Sequence, residues 1–242
     1  IAARDELFCY DRKFRIPSSV RNHDLKHAHE ISRMERKILV TATGFDSLLC
    51  FDLDENDFTW AVQLQRSPEG WMAARFDPQT EYGPDPANNF HINMVHAGPQ
   101  GIFLSGLNAG ALLHLGSDMQ IHEVCNLPTG THNAQPYGDG VMFNDTASNA
   151  VRRVGRDGTE QAFRIVTYDE TELEFAGVDD SRTARQGFGR GLCAVGDRFV
   201  AAGSSPSTVT LYDLDSGQTV ASVNLTMDIR NAIHGLEVWP YE

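Results

Sequence analysis

One plan of strands recurs four times along this chain of 242 residues, and few folds accommodate such a repeat. Residues 29–65, 91–127, 132–166 and 190–225 each open on a short inner strand and turn through Gly or charge into a second: ILVTAT, IFLSGL, VMFNDT or FVAAGS. A small-residue turn leads to a third strand, LLCFDL, ALLHLG, AVRRVG or TVTLYDL, and the turns DEND, GSD, RDG and DSG bring in a fourth. Four antiparallel strands at a spacing of about ten residues make one blade of a β-propeller. The stretch DLDEND lacks the Gly and the terminal Glu of a calcium loop and reads as a hairpin.

A fifth blade is split between the ends of the chain. Residues 234–242 begin with an inner-strand pattern, HGLEVWP, and residues 1–16 hold what is missing. Ile1–Ala3 matches the end of a second strand, Leu7–Asp11 a third and Lys13–Ile16 a fourth. The expectation is an all-β, five-bladed propeller, one domain over 1–242, closed by pairing N-terminal strands with the C-terminal one; closure removes the open sheet edges that invite aggregation.

Composition narrows the partners. The formal net charge is −13, with no cluster of Lys and Arg suited to phosphate, so nucleic acid and anionic membrane are not expected. No run approaches the ~20 apolar residues of a membrane span, and no charged-then-apolar leader is seen. Cys9, Cys50, Cys125 and Cys193 never form CxxC; three sit in apolar runs and read as reduced thiols of a cytoplasmic protein. The chain begins at Ile1, so its true start is expected upstream.

Two connections are long: residues 66–90 and 167–189. Both carry aromatics, Trp71, Phe76 and Tyr82 in the first, Tyr168 and Phe175 in the second, which disordered segments tend to lack. They read as lids over the mouth of the propeller channel, with Trp71, Tyr82, Tyr168 and Phe175 as substrate-binding candidates.

The blade openings carry the chemistry. They are His29, His91, His132, Arg190 and His234. The steps from His29 to Ile38, His132 to Val141 and Arg190 to Phe199 are equal, and pseudo-symmetry would bring the five side chains toward one axis. The chain has only nine His, so four at equivalent positions is a pattern. Converging imidazoles suit a transition metal, and without one they would be poorly satisfied; the alternative is a water-filled mouth where they cap loops. Four His with no carboxylate ligand favours an octahedral ion with open positions: Fe(II) first, copper or zinc second. Glu30, Asp145, Glu174 and Asp180 are candidates to orient the rings. Arg190 could clamp a substrate carboxylate or phosphate, or instead pair with a lid carboxylate such as Asp179 or Asp180. The turns on the same face add Asp46, Asn108, Asn144, Asp145, Thr146, Ser204 and Ser205, most of them turn formers.

The set His29, His91, His132 and His234 resembles the ligand pattern of the carotenoid cleavage oxygenases, in which four inner-strand histidines of a propeller hold one iron. That resemblance implies iron and not a substrate, since that family has seven blades and motifs absent here. The blades are also similar to gluconolactonase-type and strictosidine-synthase-like propellers, but the carboxylate and Asn ligands of the gluconolactonase type are missing from these openings. The phrases THNAQPYGDGVMFNDT and QGFGRGL look like those of bacterial propellers that carry no activity to transfer.

The sequence therefore predicts a metal-dependent oxygenase or oxidoreductase acting on a small anionic organic molecule, with Arg190 as its catalytic and substrate-anchoring cation. The alternatives are a non-catalytic binding propeller or a lactonase-like metal hydrolase. GxSxG, HExxH, P-loop and GxGxxG motifs are absent. His27, His96, His114 and His122 read as surface or core residues, and Trp60, Trp239 and Phe103 as packing between blades.

Overall fold

The computed structural model describes residues 1–178 and 185–239. Its strands fall into two compact units, Ile1–Thr129 and Gly130–Glu242. The first unit holds three antiparallel sheets. One comprises β1 (Ala2–Ala3), β2 (Glu6–Cys9) and β3 (Ser18–Arg21). The next comprises β4 (Ala28–Met34), β5 (Lys37–Ala42), β6 (Ser47–Asp52), β7 (Asp57–Ser67) and β8 (Gly70–Phe76). The third comprises β9 (Ile92–Gly98), β10 (Gly101–Gly106), β11 (Ala111–Leu115) and β12 (Ile121–Asn126). The second unit holds β13 (Thr131–Tyr137), β14 (Gly140–Asp145), β15 (Ala150–Val154) and β16 (Glu160–Arg164), then β17 (Gly191–Val195), β18 (Phe199–Ser204), β19 (Thr208–Asp213) and β20 (Gln218–Asn224). Every sheet is a meander of consecutive strands, and the five are the blades of a five-bladed, all-β propeller.

Strand β6 shows why these sequences make blades. All six of its residues are buried. Successive side chains of a strand point to opposite faces, so both faces need apolar neighbours. Leu48 and Cys50 join Leu39, Val62 and Leu64 in a core shared with Ile92, Val95 and Leu104 of the following blade. Leu49 and Phe51 join Val40, Phe58 and Ala61 in a core shared with Leu7 and Leu25. Each fully buried Leu here contributes about 1.5–3 kcal/mol by leaving water. In the second unit Met142, Val151, Phe163, Leu192, Val200 and Tyr212 form the corresponding core.

Three of the four complete inner strands carry a register shift near their start. The shifts fall between Ala28 and Ile31, around Asn93, and between His132 and Gln135. A bulge of this kind bends the strand and re-aims a side chain, and here it acts at the blade opening. The pairing of β17 with β18, after Arg190, runs without a shift.

The strand plan departs from the sequence expectation in three places. The outer strand of the first sheet is Ser18–Arg21 and not Lys13–Ile16, because Asp11 folds the chain back at that point. Its Oδ1 accepts from Lys13 N at 2.8 Å and Arg15 N at 3.0 Å, and its Oδ2 accepts from Arg15 Nε at 2.7 Å. Residues 232–239 form no strand, so the sheet of β1, β2 and β3 lacks the expected C-terminal strand. Residues 66–76 are not a lid: β7 continues to Ser67, and β8 pairs with it from Ala61 opposite Phe76 to Ser67 opposite Gly70. No helix is long and apolar enough to cross a membrane among the described residues. All four cysteines are free, Cys50 and Cys193 buried.

Candidate functional site

In the first unit the bulge of β4 places His29 beside the turn after β5. His29 Nδ1 lies 3.0 Å from the His27 carbonyl and 2.9 Å from Thr43 Oγ1. Thr43 Oγ1 also lies 2.7 Å from the Ile92 carbonyl, to which it donates. A carbonyl oxygen only accepts, so the Thr43 proton points to Ile92 and its lone pair to His29. Nδ1 therefore carries a proton that it donates to these oxygens.

The second unit repeats this arrangement. His132 Nδ1 lies 3.2 Å from the Gly130 carbonyl and 3.0 Å from Thr146 Oγ1. Thr146 Oγ1 donates to the Gly189 carbonyl at 2.9 Å. Threonine hydroxyls and backbone carbonyls thus meet Nδ1 of both rings. Glu30 Oε1 accepts from its neighbour Ile31 N, and Asp145 takes Arg152 Nε at 2.7 Å and Ser148 N at 3.1 Å. Glu174 pairs through its backbone with Asp228 in an isolated β-bridge, and Asp179 and Asp180 lie outside the described residues.

His91 meets His29 edge to face, with ring centroids 5.2 Å apart and planes at 75°. Its backbone is left-handed (φ 51°), and Asn88 Oδ1 sits 3.0 Å from Nδ1. Asp46 holds this backbone in place. It is fully buried, left-handed itself at φ 47°, and accepts from Asn89 N at 2.6 Å, Phe90 N at 3.1 Å and Ile92 N at 3.3 Å. Burial pushes the Asp46 carboxyl up from its ordinary range, against the pull of those amide donors.

Around Phe188, in the second unit, the structure gathers His132, Arg190 and His234. Phe188 is buried, and the His132 ring meets its edge at 5.8 Å between centroids. The Arg190 guanidinium carbon stands 4.1 Å from the centre of the same ring, and that of Arg185 stands 5.0 Å from it. Arg190 Nη1 donates to His234 Nε2 at 3.1 Å. A guanidinium has donors only, so His234 presents its lone pair to Arg190. That nitrogen is engaged by a cation and is not open to a metal in this arrangement. Arg185 donates to Asn149 Oδ1 at 2.7 Å, to the Gln186 carbonyl at 3.1 Å and to the Thr146 carbonyl, and burial lowers its pKa.

The aromatic substrate candidates have other places. Trp71 is 8% exposed, packs in the first core and donates from Nε1 to Glu123 at 2.7 Å, so it is a core residue. Its alternation along β8 places it there. Tyr82 is 90% exposed and borders a polar cavity of about 660 Å³ with Gln63, Arg66, Asp85 and Phe90. Tyr168 contacts Thr208 Oγ1 through its hydroxyl at 3.1 Å and exchanges backbone bonds with the Gln186 side chain. Phe175 lies under Arg230, 3.6 Å from ring centre to guanidinium carbon. Trp60 and Phe103 pack in the first unit, and Trp239 is 53% exposed. Phe188 and Arg185 escaped the sequence reading; an aromatic two residues before Arg190, between two glycines, was the signal. Among the described residues no group of three or more His, Cys, Asp or Glu side chains is placed to hold a metal ion.

Fold and site together define a β-propeller with imidazole and guanidinium groups at its inner-strand openings. No family model and no curated protein matches the chain. Solved propellers are similar to it. A Bacteroides caccae protein of unknown function is 9% identical at a TM-score of 0.57, with 91% of this chain aligned to 69% of that one. The WD40 repeats of RRP9 are 8% identical at a TM-score of 0.57, with 92% of this chain aligned to 58% of that one. Virginiamycin B lyase from Staphylococcus aureus is 16% identical at a TM-score of 0.44, with 81% of this chain aligned to 69% of that one. At these identities the likeness is one of fold.

Proposed function

We propose that this chain is a ligand-binding propeller whose second unit takes a small anionic organic molecule, a carboxylate or phosphate ester, on Arg190. The observation that carries this reading is the pair of guanidiniums, Arg185 and Arg190, stacked on one buried phenyl ring beside His132 and His234. Two guanidiniums on one ring repel each other, and an anion bound between them is attracted by both. Stacking on Phe188 holds the Arg190 plane in one orientation, which suits bidentate recognition of a planar carboxylate. The free thiols support a cytoplasmic location for this activity.

Calorimetry and thermal melts with citrate, 2-oxoglutarate and inorganic phosphate test the proposal. Saturable binding by at least one probe is expected. Arg190→Ala should abolish it, and Arg190→Lys, which keeps the charge but not the fork, should weaken it about tenfold. No binding by any of the three, or unchanged affinity in folded Arg190→Ala protein, would discard the assignment.

A second reading is the metal-dependent oxygenase or oxidoreductase, with His29, His91, His132 and His234 around Fe(II), copper or zinc. It is favoured by the anchored Nδ1 of His29 and of His132, the kind of outer hydrogen bond that orients a metal-ligating histidine. The Arg190 contact to His234 speaks against it. Elemental analysis of protein prepared without chelators decides: under about a tenth of an equivalent of transition metal, with no uptake on reconstitution, ends this reading.

A further inference from the structure

We infer that the first unit carries a separate site for an amphipathic anion, with an apolar body in a pocket beside Trp60 and an anionic head on Arg75. The pocket has a volume of about 400 Å³ and is lined by Met34, Trp60, Arg75, Ile102, Leu115 and Met119. That volume lies in the range of small-molecule sites, and an apolar lining with few polar groups is their usual chemistry.

The lining comes from adjacent blades of one unit. Trp60 stands on β7, Ile102 opposite Leu115 on β10 and β11, and Met119 in the turn before β12. Trp60, Ile102 and Met119 are only partly buried at the edge of the first core. Their apolar surface is therefore open toward the pocket side. Two thioether side chains, Met34 and Met119, give the wall the adaptability seen at surfaces that accept varied apolar groups.

Arg75 selects the charge of the head group. Among the described residues its guanidinium has no ion-pair or hydrogen-bond partner, whereas Arg15, Arg21, Arg36 and Arg66 of the same unit each pair with a carboxylate. The chain has 33 acidic residues against 20 basic ones, so a guanidinium left without a carboxylate here is not explained by scarcity. Arg75 also borders the polar cavity of about 660 Å³. It stands where an apolar pocket gives way to a polar one, which is where a molecule with an apolar body would place its charged end.

Titration of the whole chain with 2-naphthoate tests this, read by calorimetry and by the indole N–H resonances of Trp60, Trp71 and Trp239. The Trp60 resonance should shift saturably while that of Trp71, tied to Glu123, should not. Arg75→Gln should raise Kd about tenfold without moving the thermal midpoint, and the neutral 2-naphthylmethanol should bind about tenfold more weakly than the acid. Arg190→Ala should leave this binding unchanged, which separates the two sites. A Trp60 signal unmoved at millimolar 2-naphthoate, equal affinity for the neutral analogue, or loss of binding in Arg190→Ala would overturn the inference.

Discussion

Thr43 Oγ1 lies 2.9 Å from His29 Nδ1 while donating to the Ile92 carbonyl 2.7 Å away, so one hydroxyl links an imidazole, a turn and the next blade. Thr146 does the same for His132 and Gly189. Thr43→Val keeps the shape and removes the hydroxyl. It leaves the buried Ile92 carbonyl without this donor and should cost about 1–3 kcal/mol, read from urea unfolding. Thr146→Val should cost a similar amount, and Thr43→Ser far less. A cost near zero for both valine variants would show that the hydroxyls are incidental.

Asp46 supports His91 from beneath. Asp46→Asn keeps the volume but replaces one acceptor oxygen with a donor NH2 group that faces amide N–H groups. A loss of about 1.5–3 kcal/mol is expected, with faster hydrogen exchange at the Asn89 and Phe90 amides. Unchanged exchange at those two amides would count against the anchoring role.

Tyr212 gives the fold an alkaline limit. It is buried, its hydroxyl donates to the Arg164 carbonyl at 2.9 Å, and burial pushes its pKa up from 10.0 to about 12. The neutral phenol is therefore favoured in the folded state. Stability is full below the ordinary tyrosine range and falls as pH rises from 10.0 toward about 12, because the unfolded chain loses the proton first. Tyr212→Phe should be less stable than wild type at neutral pH, by about 1 kcal/mol, and the gap should narrow above the tyrosine range. A constant gap across that range would refute the assignment.

Asp213 sets the opposite slope. Arg198 donates to it through Nε at 2.9 Å and Nη2 at 2.7 Å, and this pairing holds its carboxyl well below the usual carboxylate range. Its contribution is present above the ordinary carboxylate pKa and is lost as pH falls below it. Asp213→Asn should flatten that part of the acid unfolding profile. Parallel acid profiles for the two proteins would contradict this.

Much of the fold was legible because each blade writes its strands as short apolar runs between turns. The runs ILVTAT and LLCFDL correspond to β5 and β6 within a residue or so, since both faces of those strands are buried. Strand β8 was missed because Met72 and Arg75 interrupt its apolar character, although Trp71 and Ala73 pack in one core and Phe76 against another. The C-terminal strand was over-read: HGLEVWP has strand composition, but residues 232–239 find no ladder. At the blade openings, aligning the repeats on their histidines singles out His29 and His132. Their threonine partners, Thr43 and Thr146, sit in turns whose geometry depends on long-range contacts to Ile92 and Gly189, which no local pattern records.

The β7–β8 hairpin has a practical corollary. Its tip, Pro68 and Glu69, projects past the last rung between Ser67 and Gly70, at the rim of the blade and outside the cores that hold the sheet. Foreign sequence spliced between those two residues, from a short epitope to a whole guest protein, would hang from a ladder already zipped back to Ala61 and Phe76. The tip is thus a port for tethering this propeller to a surface or a reporter while its histidines stay untouched.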